Sequence, residues 1–400
     1  MTRFLDRGSP PHLVTLVMAT GTGALAINIF LPSMPAMARY FDADYAIVQL
    51  AVSLYLVATG LLQLVIGPAS DRFGRRPILL VCFLIFLFGT LAATFAPTIE
   101  ALLACRLLQA FSAAGMVISR AVIRDTVEAA RAASRIATVT MGMTIIPMIG
   151  PMIGGLLDEQ YGWQATFYFT LAFGLVAFAL VYADLGETNR YPASSLSRQI
   201  AAYPALLTSR RFWGYTLTAA LTSGSFFAFI GGAPYVGSEM LGMSPSEYGL
   251  YFGIISVGYL AGNFITTRLS RRVGIDWMML TGNLLCIAGA AISAVLFFLG
   301  YAHPLSLFGP ATLLGVGNGV ALPNAMAGLV SVQPKLSGSA SGLGGAMQLG
   351  GGAAMSVLAG AWLSPTSGPY PLLLVMAITC SLAIGTALWS MSIARQEGAL

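Results

Sequence analysis

Charged residues are scarce in this chain of 400 residues: Asp, Glu, Lys and Arg make up 9% of it, while 57% is hydrophobic. So little charge cannot cover a water-exposed surface, which excludes an ordinary soluble domain. The net charge of +5 comes in blocks no longer than a few residues, and the aromatics lie in apolar runs, so nucleic acid is not an expected partner. Only two histidines occur, His12 and His303, neither near a cluster of ligands, and no catalytic constellation emerges. The four cysteines, Cys82, Cys105, Cys286 and Cys380, all sit in apolar runs with neither metal spacing nor a disulfide framework, which suits small packing residues. No lysine follows the glycine-rich stretch from Gly342 to Gly352, so it is no phosphate loop, and no cofactor or ATP-driven cycle is implied. The first eleven residues lack the short apolar core and cleavage site of a signal peptide. Of the fifteen acids, none falls in the middle of an apolar run.

What the chain does have is hydrophobic length. A membrane-spanning helix needs roughly 20 apolar residues, and in lipid the backbone satisfies its own polar groups by forming helices. Runs at 13–35, 46–67, 77–97, 101–123, 135–157, 163–184, 212–234, 247–268, 277–300, 304–330, 338–363 and 370–391 predict twelve spans. The expected fold is therefore all-α integral membrane, with twelve transmembrane helices in a lipid bilayer. Positive residues favour the cytoplasmic side. With this threading, eighteen of the twenty basic residues fall in or beside alternate loops; Arg39 stays outside and Arg106 within a span. Both termini are then cytoplasmic. The polar stretch 185–211, with Pro192, Pro204, four serines and four arginines, reads as a flexible or surface-lying linker between six-helix bundles at 1–184 and 212–400. Asn263, Thr267, Ser270, Arg271, Arg272 and Gly274 echo Gln63, Gly67, Ser70, Asp71, Arg72 and Gly74 two hundred residues earlier. Parallel halves of this kind are a transporter pattern, although Gly and Arg recur in any such loop.

Four segments stand out. Gly60-Leu-Leu-Gln-Leu-Val-Ile-Gly67-Pro-Ala-Ser-Asp71-Arg72-Phe-Gly74-Arg75-Arg76-Pro77 ends an apolar helix in a polar turn. Gly60 and Gly67 share nearly one helix face and let a neighbouring backbone approach, Asp71 is placed to cap the turn and attract the arginines, and Gly74 permits a bend. In Arg106-Leu-Leu-Gln109-Ala-Phe-Ser-Ala-Ala-Gly115 a permanent cation lies inside a span. Such a charge either faces a cavity or partner, or reaches out to the nearby external surface. Arg120 and Arg124 stand four apart on one helix face, where either is ordinary positive-inside charge or reaches Asp71; Asp125 follows. Gly142-Met-Thr-Ile-Ile-Pro147-Met-Ile-Gly150-Pro151-Met-Ile-Gly154-Gly155 combines two helix-disrupting prolines with small residues, giving a kinked, smooth-faced helix.

These segments resemble signatures of the major facilitator superfamily. The first is similar to its loop motif G-x-x-x-D-R-x-G-R-R, the second to its fourth-helix R-x-x-Q motif, and the last to its fifth-helix antiporter motif ending G-P-x-x-G-G. Asn28-Ile-Phe30-Leu31-Pro32-Ser-Met-Pro35, Leu322-Pro323-Asn324-Ala325 and the run from Ser337 to Gln348 resemble the drug:proton antiporter branch of the bicyclomycin and chloramphenicol resistance (Bcr/CflA) type. The resemblance implies two pseudo-symmetric bundles, proton-coupled export of small molecules, proton transfer involving Arg106, and an inner gate built from Asp71, Arg72, Arg75, Arg76, Arg120, Arg124 and Asp125. It implies no enzyme activity and no metal, and nothing demands more than a monomer.

One departure matters. Where that branch has an aspartate in the first span, this chain has Asn28, which cannot titrate. Coupling through Asp71 or Asp125, through the substrate's own charge, or no coupling at all remain open. Asn28 is expected to hold substrate by hydrogen bonds, and Arg106 to favour neutral or anionic compounds. The expected lining of a cavity between the halves is Asn28, Tyr55, Gln63, Arg106, Ser223, Phe226, Tyr259, Asn263, Asn318, Asn324 and Gln348, because amides are unfavourable against lipid. An uncoupled facilitator or importer of a metabolite, and a transport-dead sensor, are the alternatives.

Overall fold

In the computed structural model, the described residues are 4–127, 129–189, 204–333, 336–364 and 366–396. Among the described residues twelve long helices follow in chain order: α1 (Leu13–Tyr40), α2 (Tyr45–Phe73), α3 (Arg75–Thr94), α4 (Ile99–Thr126), α5 (Ala129–Tyr161), α6 (Gln164–Asp184), α7 (Arg210–Met240), α8 (Pro245–Val273), α9 (Ile275–Phe298), α10 (Pro304–Ser331), α11 (Ser337–Trp362) and α12 (Tyr370–Gln396). Ten of these are long and apolar enough to cross a membrane on length and composition; α5 and α11 hold the two remaining expected places. No strand occurs among the described residues.

The turns carry local signals for ending and restarting helices. Gly74 and Gly274 occupy equivalent positions with φ of 98° and 89°, the left-handed region that a Cβ resists. Their matching backbones bear out the internal repeat. The two histidines turn out to be helix caps: the His12 Nδ1 accepts the Val14 N–H at 3.3 Å and the His303 Nδ1 accepts the Leu305 N–H at 3.1 Å. Ser244 and Glu247 form a reciprocal capping box at the start of α8.

Helices α1 to α6 pack among themselves, as do α7 to α12, and the halves meet where α2 lies along α11 and α5 along α8. Small residues make these approaches close. A side chain at Gly154 would strike the carbonyl of Ile29 on α1, and one at Gly155 the carbonyl of Pro245 on α8. Gly150 of the same motif faces the Cβ of Asn28 at 3.6 Å from an added Cβ, and Pro147 and Pro151 lie inside α5. A Cβ added at Gly60 would meet the Ala346 carbonyl at 3.2 Å, the close backbone approach that its spacing predicts. Gly67 departs from expectation: an added Cβ there would find Val117 at an ordinary 3.7 Å, so no neighbouring backbone needs its smallness.

The first residues of the expected linker, up to Asn189, dock on the helix ends beside them. Residues 190–203 lie outside the described residues. Before them, the Glu187 carboxylate accepts the backbone N–H groups of Arg75 at 3.0 Å and Arg76 at 3.2 Å, capping α3, and the Asn189 amide donates to the Asp71 carbonyl at 2.6 Å. An anion at a helix N-terminus satisfies unpaired donors and the helix dipole together. Asp184 plays a similar part for the N-terminal segment: it is fully buried and accepts from Leu5 N–H, His12 N–H and the Thr15 hydroxyl at 2.7, 2.7 and 2.6 Å.

Candidate functional site

Two helices that front the interface between the halves are interrupted. Helix α1 breaks after Asn28 into a 3-10 turn at Leu31–Ser33, where Pro32 removes a backbone donor. Helix α4 passes through a 3-10 turn at Ala110–Ser112. Tight turns of this kind inside long helices re-aim side chains. Here the Tyr55 hydroxyl of α2 is held by the Ser112 hydroxyl at 2.7 Å and donates to the Gly23 carbonyl at 3.1 Å.

Between the halves lies a cavity of about 340 Å³. Eight of the eleven residues expected to line it do so: Asn28, Tyr55, Gln63, Ser223, Phe226, Tyr259, Asn318 and Gln348. Phe226 and Tyr259 stack with ring centroids 6.4 Å apart. Asn28 donates to the Ala24 carbonyl at 2.7 Å, while its Oδ1, buried, has no protein partner. A buried acceptor left open beside a cavity is where a ligand donor gains most. Sequence reasoning overlooked Thr20, Thr59, Ser112, Ser256 and Ser341, which add hydroxyls to the lining. Their apolar runs flagged amides and aromatics, whereas a serine or threonine in a span commonly bonds its own helix and so carries little signal.

Three expected lining residues lie elsewhere. Asn263 bonds back to the Tyr259 carbonyl at 2.9 Å. Asn324 pairs with Ser270 at 2.5 Å and with its own helix, joining α8 to α10. Arg106 is the larger correction. It is 1% exposed and sits behind Tyr55, with its guanidinium carbon 4.5 Å from the ring centroids of both Tyr55 and Phe30. Its Nε donates to the Ala51 carbonyl at 2.9 Å; its Nη1 donates to the Ala26 carbonyl at 2.9 Å and to Gln109 Oε1 at 2.6 Å. Gln109 in turn donates to the Thr90 hydroxyl at 3.0 Å. Of the open readings of Arg106, the partnered one holds: it neither enters the cavity nor reaches the external surface, but pairs with carbonyls, Gln109 and two rings. It cross-links α1, α2 and α4, solvated by carbonyl dipoles and two aromatic faces in place of a carboxylate.

At the end that carries Leu13 and Gln396, Arg75 and not Arg120 or Arg124 is the partner of Asp71. Arg75, 7% exposed, pairs with Asp71, donates through Nε to Asp125 at 3.0 Å and through Nη1 to the Ser70 hydroxyl at 2.7 Å. One arginine thus ties α2, α3 and α4 together. Arg76 donates to the Tyr182 carbonyl at 3.1 Å, and Arg72 lies over the Phe73 ring. Position 275 is isoleucine, and in the second half the neutral Ser270 to Asn324 pair replaces the ionic one. Arg120 lines the cavity.

The polar ties between the halves cluster at the opposite end. Arg39 pairs with Glu239 at 3.1 Å, the Tyr45 hydroxyl donates to the Gly231 carbonyl at 2.8 Å, and the Gln49 amide donates to the Ser356 carbonyl and hydroxyl. The cavity lining instead continues toward Arg120, Met326 and Ser341 at the end bearing Leu13. The halves are locked at one face and separated by a lined void toward the other.

The family model described as Major Facilitator Superfamily matches residues 16–348 and 233–398. Among curated relatives, an uncharacterized MFS-type transporter, YdgK, of Bacillus subtilis is 35% identical over 62% of this chain and 63% of its own length. Multidrug resistance protein D of Escherichia coli is 28% identical over 92% of each chain. A chloramphenicol resistance protein of Pseudomonas aeruginosa is 30% identical over 74% of this chain and 70% of its own. Among solved structures, a bacterial homolog of the human lysosomal transporter Spinster aligns with a TM-score of 0.72 at 16% identity over 96% of both chains, a likeness of fold.

Proposed function

Given that the chain belongs to the major facilitator superfamily, and is thereby a multi-pass membrane transporter, we propose that it is a secondary active exporter of small, mostly apolar compounds. The observation that carries this reading is the cavity between the bundles, lined by amides, hydroxyls and aromatic rings and shut at one face by Arg39, Tyr45 and Gln49. Apolar walls with a few convergent polar groups bind varied small molecules. Relatives named for multidrug and chloramphenicol resistance support the drug-like class of substrate. The complete G-P-x-x-G-G ending, with Gly154 and Gly155 in backbone contact with α1 and α8, supports export.

The cycle is alternating access: the bundles 1–184 and 212–400 rock about the cavity, joined by the segment 185–211. Arg72, Arg75, Arg76, Arg120 and Arg124 gather at the end bearing Leu13, which supports a cytoplasmic location for that end in a bacterial inner membrane, and the protein works as a monomer. Protons drive the exchange at Asp71 and Asp125. Both carboxylates pair with Arg75, so the joint of α2, α3 and α4 beside the cavity mouth is the element through which coupling acts. Asn28 offers its open Oδ1 to substrate in place of a titrating carboxylate.

The test is drug susceptibility and accumulation in an efflux-deficient bacterial host expressing the protein, repeated with an uncoupler. Lower accumulation that the uncoupler abolishes is expected. Accumulation unaffected by expression across neutral drugs rules the proposal out, and lowered accumulation that survives the uncoupler rules out proton coupling.

A further inference from the structure

The cavity lining carries one full charge among the described residues, and it is positive. Arg120 lines the void, is exposed, and has neither an ion pair nor a hydrogen bond to any described residue. Asp71 and Asp125, the described acids of the gate, are both taken up by Arg75. Behind the wall stands a second cation, Arg106, compensated by carbonyls and Gln109 and not by a carboxylate, 4.5 Å from the ring of the lining residue Tyr55. Low-dielectric walls focus such a field into the void. Among the described residues a cationic substrate finds no counter-charge in the lining, whereas an anion finds the Arg120 guanidinium.

Resting on the export reading, we infer that the cavity is built for amphiphilic organic monoanions, with Arg120 binding a carboxylate or sulfonate headgroup and thereby setting specificity. A guanidinium presents a planar fork of donors that matches two anionic oxygens. The dimensions suit an aromatic acid of two rings. Ser112, which holds Tyr55, precedes Arg120 by eight residues on α4, about 12 Å at 1.5 Å per residue. A head at Arg120 therefore lets its body reach the tier of Tyr55, beside the stacked pair Phe226 and Tyr259.

Three ligands with one body test this: 4-biphenylcarboxylate, 4-biphenylcarboxamide and 4-biphenylmethylammonium, titrated by calorimetry against the full-length protein purified in a neutral detergent. In the unaltered protein the carboxylate is expected to bind about tenfold tighter than the amide, one well-placed charge interaction, and the ammonium more weakly than either. Arg120→Gln collapses the carboxylate to amide ratio toward one, and Arg120→Lys keeps most of it. Equal affinities for carboxylate and amide in the unaltered protein, or a ratio untouched by Arg120→Gln, overturn the inference; the first comparison needs no variant to fold. Flux in proteoliposomes separates the two proposals. Amide movement with no carboxylate preference leaves export standing and overturns the anion site, whereas carboxylate-selective binding without flux supports the site and overturns export.

Discussion

The face closed by Gln49 offers a quantitative test of how the halves are locked. Gln49 is 1% exposed and reaches from α2 between Gly231 of α7 and Gly360 of α11, where its amide bonds the Ser356 hydroxyl at 3.0 Å and the Ser356 carbonyl. A Cβ at Gly360 would overlap the Gln49 carboxamide oxygen, so Gly360→Ala evicts that carboxamide from its slot. Each net hydrogen bond is worth about 1 kcal/mol, and stranding a buried acceptor adds about 1 to 3 kcal/mol. Partial relaxation leaves about 2 kcal/mol against the closed face, a shift of about thirtyfold in the ratio of closed to open forms. The assay places a cysteine at Ile230, which lines the cavity and is 1% exposed, in a background lacking the four native cysteines, and times its modification by a membrane-impermeant maleimide added outside cells. Gly360→Ala is expected to speed labelling by about that thirtyfold. A rate equal to that of the parent would refute the claim that Gln49 holds this face shut.

Four further outcomes are expected. Asn28→Asp places a titratable group at the open acceptor and should change the pH dependence of export in everted vesicles; an unchanged profile removes position 28 from the site. Arg75→Lys cannot serve Asp71, Asp125 and Ser70 at once and should cost about 2 kcal/mol, read as a lower thermal unfolding midpoint in detergent. Arg106→Met should lower that midpoint by several degrees, about 3 kcal/mol of lost cross-links, while changing substrate affinity less than about threefold, because the residue lies behind Tyr55; a large affinity loss at unchanged stability would contradict this. Gly154→Ala drives a methyl into the Ile29 carbonyl and should destabilise by about 2 kcal/mol or more, whereas Gly67→Ala, whose methyl would meet Val117 at an ordinary contact distance, should stay within about 0.5 kcal/mol on the same melt.

The resemblance to a transporter family rested on particular residues, and most kept their meaning in three dimensions. The glycine at 74 does adopt a conformation only glycine favours, Asp71 does attract an arginine, and the amides at 28, 63, 318 and 348 do gather on one void. Where expectation failed, the missing information was rotational or long-range. Arg106 and Arg120 share one helix, fourteen residues apart, yet the first is packed under aromatic rings and the second opens into the cavity. Gln49, Asp184 and Glu187 gained their roles from partners 307, 169 to 179 and 111 to 112 positions away.

Hydrophobic length, the scatter of arginines and the repeat at an interval of two hundred residues determined by themselves that this is a twelve-helix membrane protein in two halves. Only the tertiary structure decided which side chains meet: that Arg75 and not its neighbours bridges two carboxylates, that Asn324 pairs between helices, and that Arg120 is the charge facing the void. The physical reason is that lipid and protein interior are equally apolar. A span therefore advertises its length and its rare polar groups in the sequence, but its rotation about its own axis is set by packing against helices far away in the chain.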